Sequence, residues 1–464
     1  MKSAKENVSS TKGHTGMRTV ISVVVVFAVL AAAVFAVTFA LYPYGSKSEV
    51  SWSEFRKQQG LDAVCVGTSL PQRSYDPDVV DAELGTWSYN MCTPLQAVEE
   101  SCVAVKEAVE HHDIRRVYFG VDYWAFWTEQ ELSPGRPYLT EKWKGDDFFQ
   151  RFSDLAYVLQ GSDWMMKPSS INWLFPWISQ RVSFSQVPLN VHMKIEQTDL
   201  TQAVELYDDG AHYVDRGFLA KDVVYDYNEG HYEVIADWNL GPLQQSNLDA
   251  LADLCDYCAE QGIELVVFVP PLTDFNFISM RDAYPTFDAQ MHALVEEHGA
   301  SFYDFNLAVP ELYVAQEDYF ADHEHCNYTG AHIFSEALAD LMQRKDAGED
   351  VKRLFRTYDE ALADMKRIAL ANIKSDVKPS GVQLSAFCYA GSTVQVEYQF
   401  LMARPGGEFE VVQDYSPEAT CLCTDVAERG EYRFRVNARQ VGSNVEFEKY
   451  RVCSAVPADV EQGA

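Results

Sequence analysis

Basic residues are scarce in this chain: 37 lysines and arginines face 69 aspartates and glutamates, a formal charge of −32 over 464 residues. A surface with that excess repels polyphosphate, so nucleic acid is a poor candidate partner. The acids are dispersed through a sequence that is 47% hydrophobic, so the imbalance does not imply disorder. Repeats and low-complexity tracts are missing, which removes solenoids and arrays. The ten cysteines lack the spacing of a disulfide framework. Cys388, Cys421, Cys423 and Cys453 cluster near the C-terminus and are the expected bridge formers if any exist. Cys255-x-x-Cys258 has no second Cys or His pair at ligand spacing, so a zinc site is not indicated. Both cysteines share a helical face with Leu248, Leu251 and Leu254, which points to core packing rather than thiol redox chemistry.

Charge is almost absent from Thr19 to Tyr42, 24 positions rich in Val, Ala and Phe. As a helix this run would reach about 36 Å, enough for a hydrocarbon core of about 30 Å. Lys2, Lys5, Lys12 and Arg18 precede it against the single acid Glu6, so residues 1–18 are expected to be a cytoplasmic tail and everything after Tyr42 extracytoplasmic. A cleaved signal peptide is the competing reading, because Ala36 and Ala40 end the run; its length favours an uncleaved anchor at the cell membrane.

From Leu61 onward short apolar runs alternate with helical stretches. Ala63–Val66, Arg116–Val121, Ile263–Val269 and Ser301–Phe305 read as strands. Thr93–His111, Ser246–Gln261, Phe287–His298 and Tyr328–Gln343 read as helices. That alternation predicts an α/β domain over residues 43–345, a doubly wound parallel sheet covered on both faces. It is interrupted by an insertion at about 123–245 holding Trp124, Trp127, Trp143, Trp164, Trp173 and Trp177. These tryptophans serve either as a lid or sugar-stacking wall, or as a small aromatic core. Residues 346–378 read as a charged helical linker with Leu354, Tyr358, Leu362 and Met365 on one face. Short alternating segments after Pro379 predict a small antiparallel β-sandwich at 379–456, before a tail at 457–464. This last module loosely resembles immunoglobulin-like bacterial modules.

Two motifs carry the chemistry. Gly67-Thr68-Ser69-Leu70 follows the first apolar run, and Asp322-His323-Glu324-His325 precedes the last helix of the α/β region. A serine needs an adjacent base to become nucleophilic, and the base needs a third group to hold its tautomer. Ser69 at the carboxyl end of a buried strand stands where such sheets bind ligands. Singly, these residues also suit an ordinary turn serine and a surface histidine before a helix.

Val66-Gly67-Thr68-Ser69-Leu70 resembles the block that names the SGNH/GDSL hydrolases, with Thr68 in place of the usual acid. Arg73-Ser74-Tyr75-Asp76-Pro77, Ser88-Tyr89-Asn90 and the run Tyr319–Ala331 are similar to the membrane-linked branch of that superfamily, which includes alginate O-acetyltransferase-like and teichoic-acid D-alanyl-transfer proteins. The resemblance spans roughly residues 60–345. It implies a flavodoxin-like three-layer fold, Ser69 as nucleophile, His325 as base, Asp322 as its orienting partner, and no cofactor or metal. His323 competes on paper, but the family spacing selects His325. The oxyanion donors would be the amide of Ser69 and the groups at Cys92 and Asp122. Here the sequence departs from the family, which has glycine and asparagine at those two positions; an ionised Asp122 cannot donate. The implied activity is a serine esterase or O-acyltransferase acting on acyl esters of cell-surface polysaccharide. The transferase version implies a membrane-bound O-acyltransferase partner. The rival reading is a non-catalytic surface scaffold on the same fold.

Overall fold

The computed structural model describes residues 9–128, 136–145, 149, 175–178, 180–205, 210–230, 241–426 and 430–456. Two compact units emerge, one from residues 1–53 with 131–209, the other from 54–130 with 210–464.

The larger unit is built on a five-stranded parallel sheet: β1 (Ala63–Gly67), β2 (Ser88–Asn90), β3 (Arg116–Gly120), then, after a short antiparallel ribbon of β4 (Ala211–Tyr213) and β5 (Leu219–Lys221), β6 (Glu264–Val269) and β7 (Ser301–Asp304). The spatial order is β2-β1-β3-β6-β7, the flavodoxin-like winding expected for this class. Every residue of β1 is buried, as a parallel strand covered on both faces requires. Helices Val98–His111, Gln245–Gln261, Tyr284–Glu297 and Tyr328–Asp346 supply the covering layers. Gly262 ends the second of these in the left-handed conformation.

Direction of winding reverses between β1 and β3. The crevice at their carboxyl ends is therefore the natural ligand position of the sheet. The insertion expected at 123–245 is divided. Helix Tyr123–Trp127 and the β4–β5 ribbon belong to the sheet-bearing unit, whereas 131–209 belongs to the other. Arg216, beside the ribbon, is buried against Asp78 and Asp81 and accepts the Asn90 amide on its carbonyl. Trp127 packs on Tyr123 and Phe287, and Trp143 is buried, so the described tryptophans favour the aromatic-core reading over a stacking wall. Trp164, Trp173 and the side chain of Trp124 lie outside the described residues.

The expected helical linker is only partly helical. A 3-10 turn at Val351–Leu354 and helix Tyr358–Asp364 are followed by β8 (Ile368–Lys378), the first strand of the C-terminal module. The spacing of Leu354, Tyr358 and Leu362 mimics a helix. Beyond Met365 the chain instead pairs with β9 (Gly381–Ala390) over its whole length and buries Ile368–Ala371. The remaining strands are β10 (Val396–Ala403), β11 (Phe409–Ser416), β12 (Thr420–Cys423), β13 (Tyr432–Gln440) and β14 (Lys449–Ala455). They complete two antiparallel sheets, β12-β9-β8 and β11-β10-β13-β14. Val382 and Leu384 of one sheet share a core with Phe400, Phe434 and Val436 of the other, which makes the module a sandwich. β14 docks on the α/β part: Lys449 pairs with Glu317, and Tyr450 and Arg451 bond to Asn228–Gly230.

All ten cysteines are thiols, including the four expected to bridge. Cys255 and Cys258 are buried, and burial pushes both up to about 12, so neither supplies the stable thiolate that redox chemistry needs.

At the carboxyl end of β7, Asp304 is fully enclosed. It accepts a hydrogen bond from the Tyr284 hydroxyl at 2.5 Å and from the Asn306 amide at 2.9 Å. Burial, helped by nearby Asp288, outweighs these donors and raises its carboxyl to about 7. A carboxyl whose folded pKa exceeds its unfolded one near 4 makes the native state bind more protons between those values. Stability therefore falls as pH rises from about 4 to about 7 and is level above that, a contribution of roughly 4 kcal/mol. Asp304→Asn is expected to flatten this slope, read as the difference in melting temperature between pH 5 and pH 8; an unchanged difference contradicts the assignment.

Candidate active site

β1 ends at Gly67, whose amide donates to Gln96 Oε1 at 3.0 Å. The chain then turns sharply into the four-residue helix Ser69–Gln72, and Pro71 is laid across the ends of β1 and β3. A Cβ on Gly67 would meet Gly120 O at 2.5 Å and Pro71 Cγ at 2.7 Å; one on Gly120 would meet Pro71 Cβ at 2.3 Å. Both glycines are thus needed for the serine turn to sit down on the sheet. Gly120→Ala is expected to destabilise the protein by about 1–3 kcal/mol through overpacking and to lift the serine turn. Chemical denaturation measures the first effect, and a slower reaction of Ser69 with a fluorophosphonate measures the second.

The second motif comes from the loop after the 3-10 turn Glu317–Tyr319. A bridge between Phe320 and Cys326 and the bond from Ala321 N to His325 O close it into a tight hairpin. Asn327 caps the following helix by accepting from Gly330 N, while its own amide donates to Asp318 O and Val223 O. Thr273 Oγ1 and Asn276 Nδ2 both donate to His323 O at 2.9 Å, fixing the loop from the side of β6. The His323 ring faces Glu324 Oε1 at 2.9 Å.

These elements bring Ser69, His325 and Asp322 into one hydrogen-bonded chain. Ser69 Oγ lies 2.9 Å from His325 Nε2, and His325 Nδ1 lies 2.9 and 3.1 Å from the two carboxylate oxygens of Asp322. Asp322 Oδ1 also accepts the amides of Glu324 and His325. Burial alone would raise this carboxyl. The hydrogen bond and charge of His325, with the two backbone amides, overcome that and hold it well below the usual carboxylate range. Asp322 is therefore ionised near neutral pH, as a group that orients imidazole by accepting its Nδ1 proton must be.

The other two sequence candidates are engaged elsewhere. The Cys92 amide donates to Asn90 Oδ1 at 3.1 Å, and its thiol lies 3.7 Å from Cys65 Sγ in the core, with burial pushing it up. The expectation that Cys92 N–H faces the oxyanion therefore meets a competing acceptor that the sequence did not reveal. Asp122 accepts the Thr68 hydroxyl on Oδ2 at 2.7 Å. Two of the three positions at which the sequence departs from the block pattern, Thr68 and Asp122, thus form a pair.

Sequence reasoning passed over Gln96, which is buried beside the strand end that carries the serine turn. It accepts from Gly67 N and Ser101 Oγ and donates to Met91 O and Thr93 Oγ1. It also passed over Thr273 and Asn276. Nothing local marks these residues, because each acts on a partner distant in sequence. Among the described residues, the one cluster with metal-ligand spacing is Glu107, Glu110 and His111, two of them exposed, and it is not part of this site.

No protein-family model and no curated protein matches the chain. Among solved structures it is similar to a "putative acylhydrolase" from Bacteroides fragilis NCTC 9343, at 8% identity and a TM-score of 0.29, over 63% of this chain and 94% of that one. A likeness at that level has no bearing on activity. The functional reading rests on the geometry of the site.

Proposed function

We propose that this protein is a membrane-anchored, extracytoplasmic serine esterase or O-acyltransferase that acts on acyl esters of cell-surface polysaccharide. The single observation that carries the reading is the Ser69–His325–Asp322 chain, assembled at the β1/β3 crevice from segments about 250 residues apart. Ser69 Oγ attacks the acyl carbonyl as its proton passes to His325 Nε2. Asp322 stabilises the imidazolium without taking the proton. Collapse of the tetrahedral species breaks the ester bond, and the alcohol leaves with the proton from His325. Water or a sugar hydroxyl, deprotonated by His325, then attacks the acyl-Ser69 carbonyl and regenerates the enzyme. The Ser69 amide, at the start of its short helix, is the donor best placed for the oxyanion. With Cys92 N–H held by Asn90 and Asp122 unable to donate, turnover of simple esters is expected to be slow.

In the transferase version an acyl group reaches Ser69 from a membrane-bound O-acyltransferase. Met17–Leu41, 25 residues within one helix that include an 18-residue stretch of mean hydropathy 3.1, supports the anchor. A second reading, a non-catalytic scaffold, is favoured by one observation: a carboxylate at 122, where the family has an amide donor. Labelling of the purified protein with a fluorophosphonate tests both. Loss of label in Ser69→Ala supports the enzyme; absence of label on well-folded wild type supports the scaffold.

A further inference from the structure

The smaller unit ends the apolar helix in an unusual way. A helix leaves its last four carbonyls without intrahelical partners, and these become a burden where a chain leaves the membrane. Here all four receive donors from residues 182–194. Lys194 Nζ donates to Phe39 O, Asn190 Nδ2 to Ala40 O, the Val182 amide to Leu41 O, and both Asn190 Nδ2 and Lys194 Nζ to Tyr42 O. The ammonium also meets the negative end of the helix dipole. Tyr42 continues the join, donating its hydroxyl to buried Glu141 at 2.7 Å, and Lys144 bridges Glu141 to Glu49.

The helix that provides most of these donors, Val187–Glu196, is built inside out for water. Asn190 is 0% exposed and Met193 2%, whereas Leu189 is 39% and Ile195 65% exposed. Ile178 at 42% and Phe184 at 82% extend the apolar surface on the preceding turns. His192 and Glu196 share the outer face, the mixed character of a segment that lies in an interface rather than crossing a membrane. A span of 25 residues reaches about 37 Å against a core of about 30 Å, so the Phe39–Tyr42 end falls at headgroup level. Side chains on a helix bonded to that end stand at the same level.

We propose that Ile178 and residues 180–196 form a collar seated in the lipid interface where the first helix emerges, with Ile178, Phe184, Leu189 and Ile195 among the upper acyl chains, and that this capped joint keeps the helix as a permanent anchor. The proposal rests on the anchor reading above, and cleavage of the helix would remove the carbonyls that the collar caps.

The test uses the full chain in phosphatidylcholine nanodiscs, with dansylalanine placed at Phe184 or at Ile195 and the melting temperature confirming the fold of each. A blue-shifted emission, quenched roughly twofold or more by acyl-brominated lipid, is expected at both sites. Water-like emission without quenching, in a chain whose intact mass shows the first helix still attached, overturns the collar alone. An intact mass showing loss of the first 36–40 residues from membrane-derived protein overturns the anchor reading and the collar with it.

Discussion

Replacing Ser69 with alanine is expected to abolish fluorophosphonate labelling and to lower turnover of p-nitrophenyl acetate by about 10⁴-fold or more. The size of the effect follows from the way the three side chains are joined. His325 Nε2 lies 2.9 Å from Ser69 Oγ, so in the proposed mechanism the serine is activated only through this imidazole. Residues that act as one unit do not contribute additively. The Ser69→Ala/His325→Ala double variant should therefore be no slower than either single one. A double variant slower than both by a further large factor would mean that the two groups serve separate steps. Wild-type protein that melts cooperatively yet takes no label would remove the serine mechanism and leave the scaffold.

Much of this architecture is legible in the sequence, and for identifiable reasons. β1 and β6 are continuous apolar runs bounded by turn residues, which is how strands covered on both faces look in sequence. Ser69 and His325 stood out because each motif is local: Gly67 is needed at the strand end, and Asp322 lies three residues before its histidine. β2 is absent from the expected strands because three residues are too few for a periodicity to register. β8 was taken for helix because the apolar spacing just before it is helical and its own outer half is charged. The pairing with β9 decides the matter, and pairing is not written in a local window. The same limit hid Gln96, Thr273 and the acceptor of the Cys92 amide. Each is a single polar side chain whose meaning comes from a partner that the fold brings to it.

Asp122→Asn is expected to raise ester turnover by about 10- to 100-fold, part of the 10²–10³ that one oxyanion donor is worth. Asp122 Oδ2 accepts the Thr68 hydroxyl at 2.7 Å, an acceptor that the amide oxygen of asparagine reproduces, and the substitution adds an N–H donor that a carboxylate lacks. The change also removes a negative charge from beside a transition state that is itself becoming negative. The pair can be examined in the other direction as well. Thr68→Asp alone would set two carboxylates against one another, so it should lower the melting temperature and raise the pKa of one of them. Combined with Asp122→Asn, it sets one acid against one amide, and the stability loss should largely disappear. A rescue of that kind is an interaction energy, visible in a double-mutant cycle even if activity is too low to measure. If Asp122→Asn instead leaves turnover unchanged while the double variant still rescues stability, Thr68 and Asp122 are a structural pair and the oxyanion is held by other groups. If turnover falls, the carboxylate itself serves the reaction, and the view of Asp122 as an obstacle is wrong.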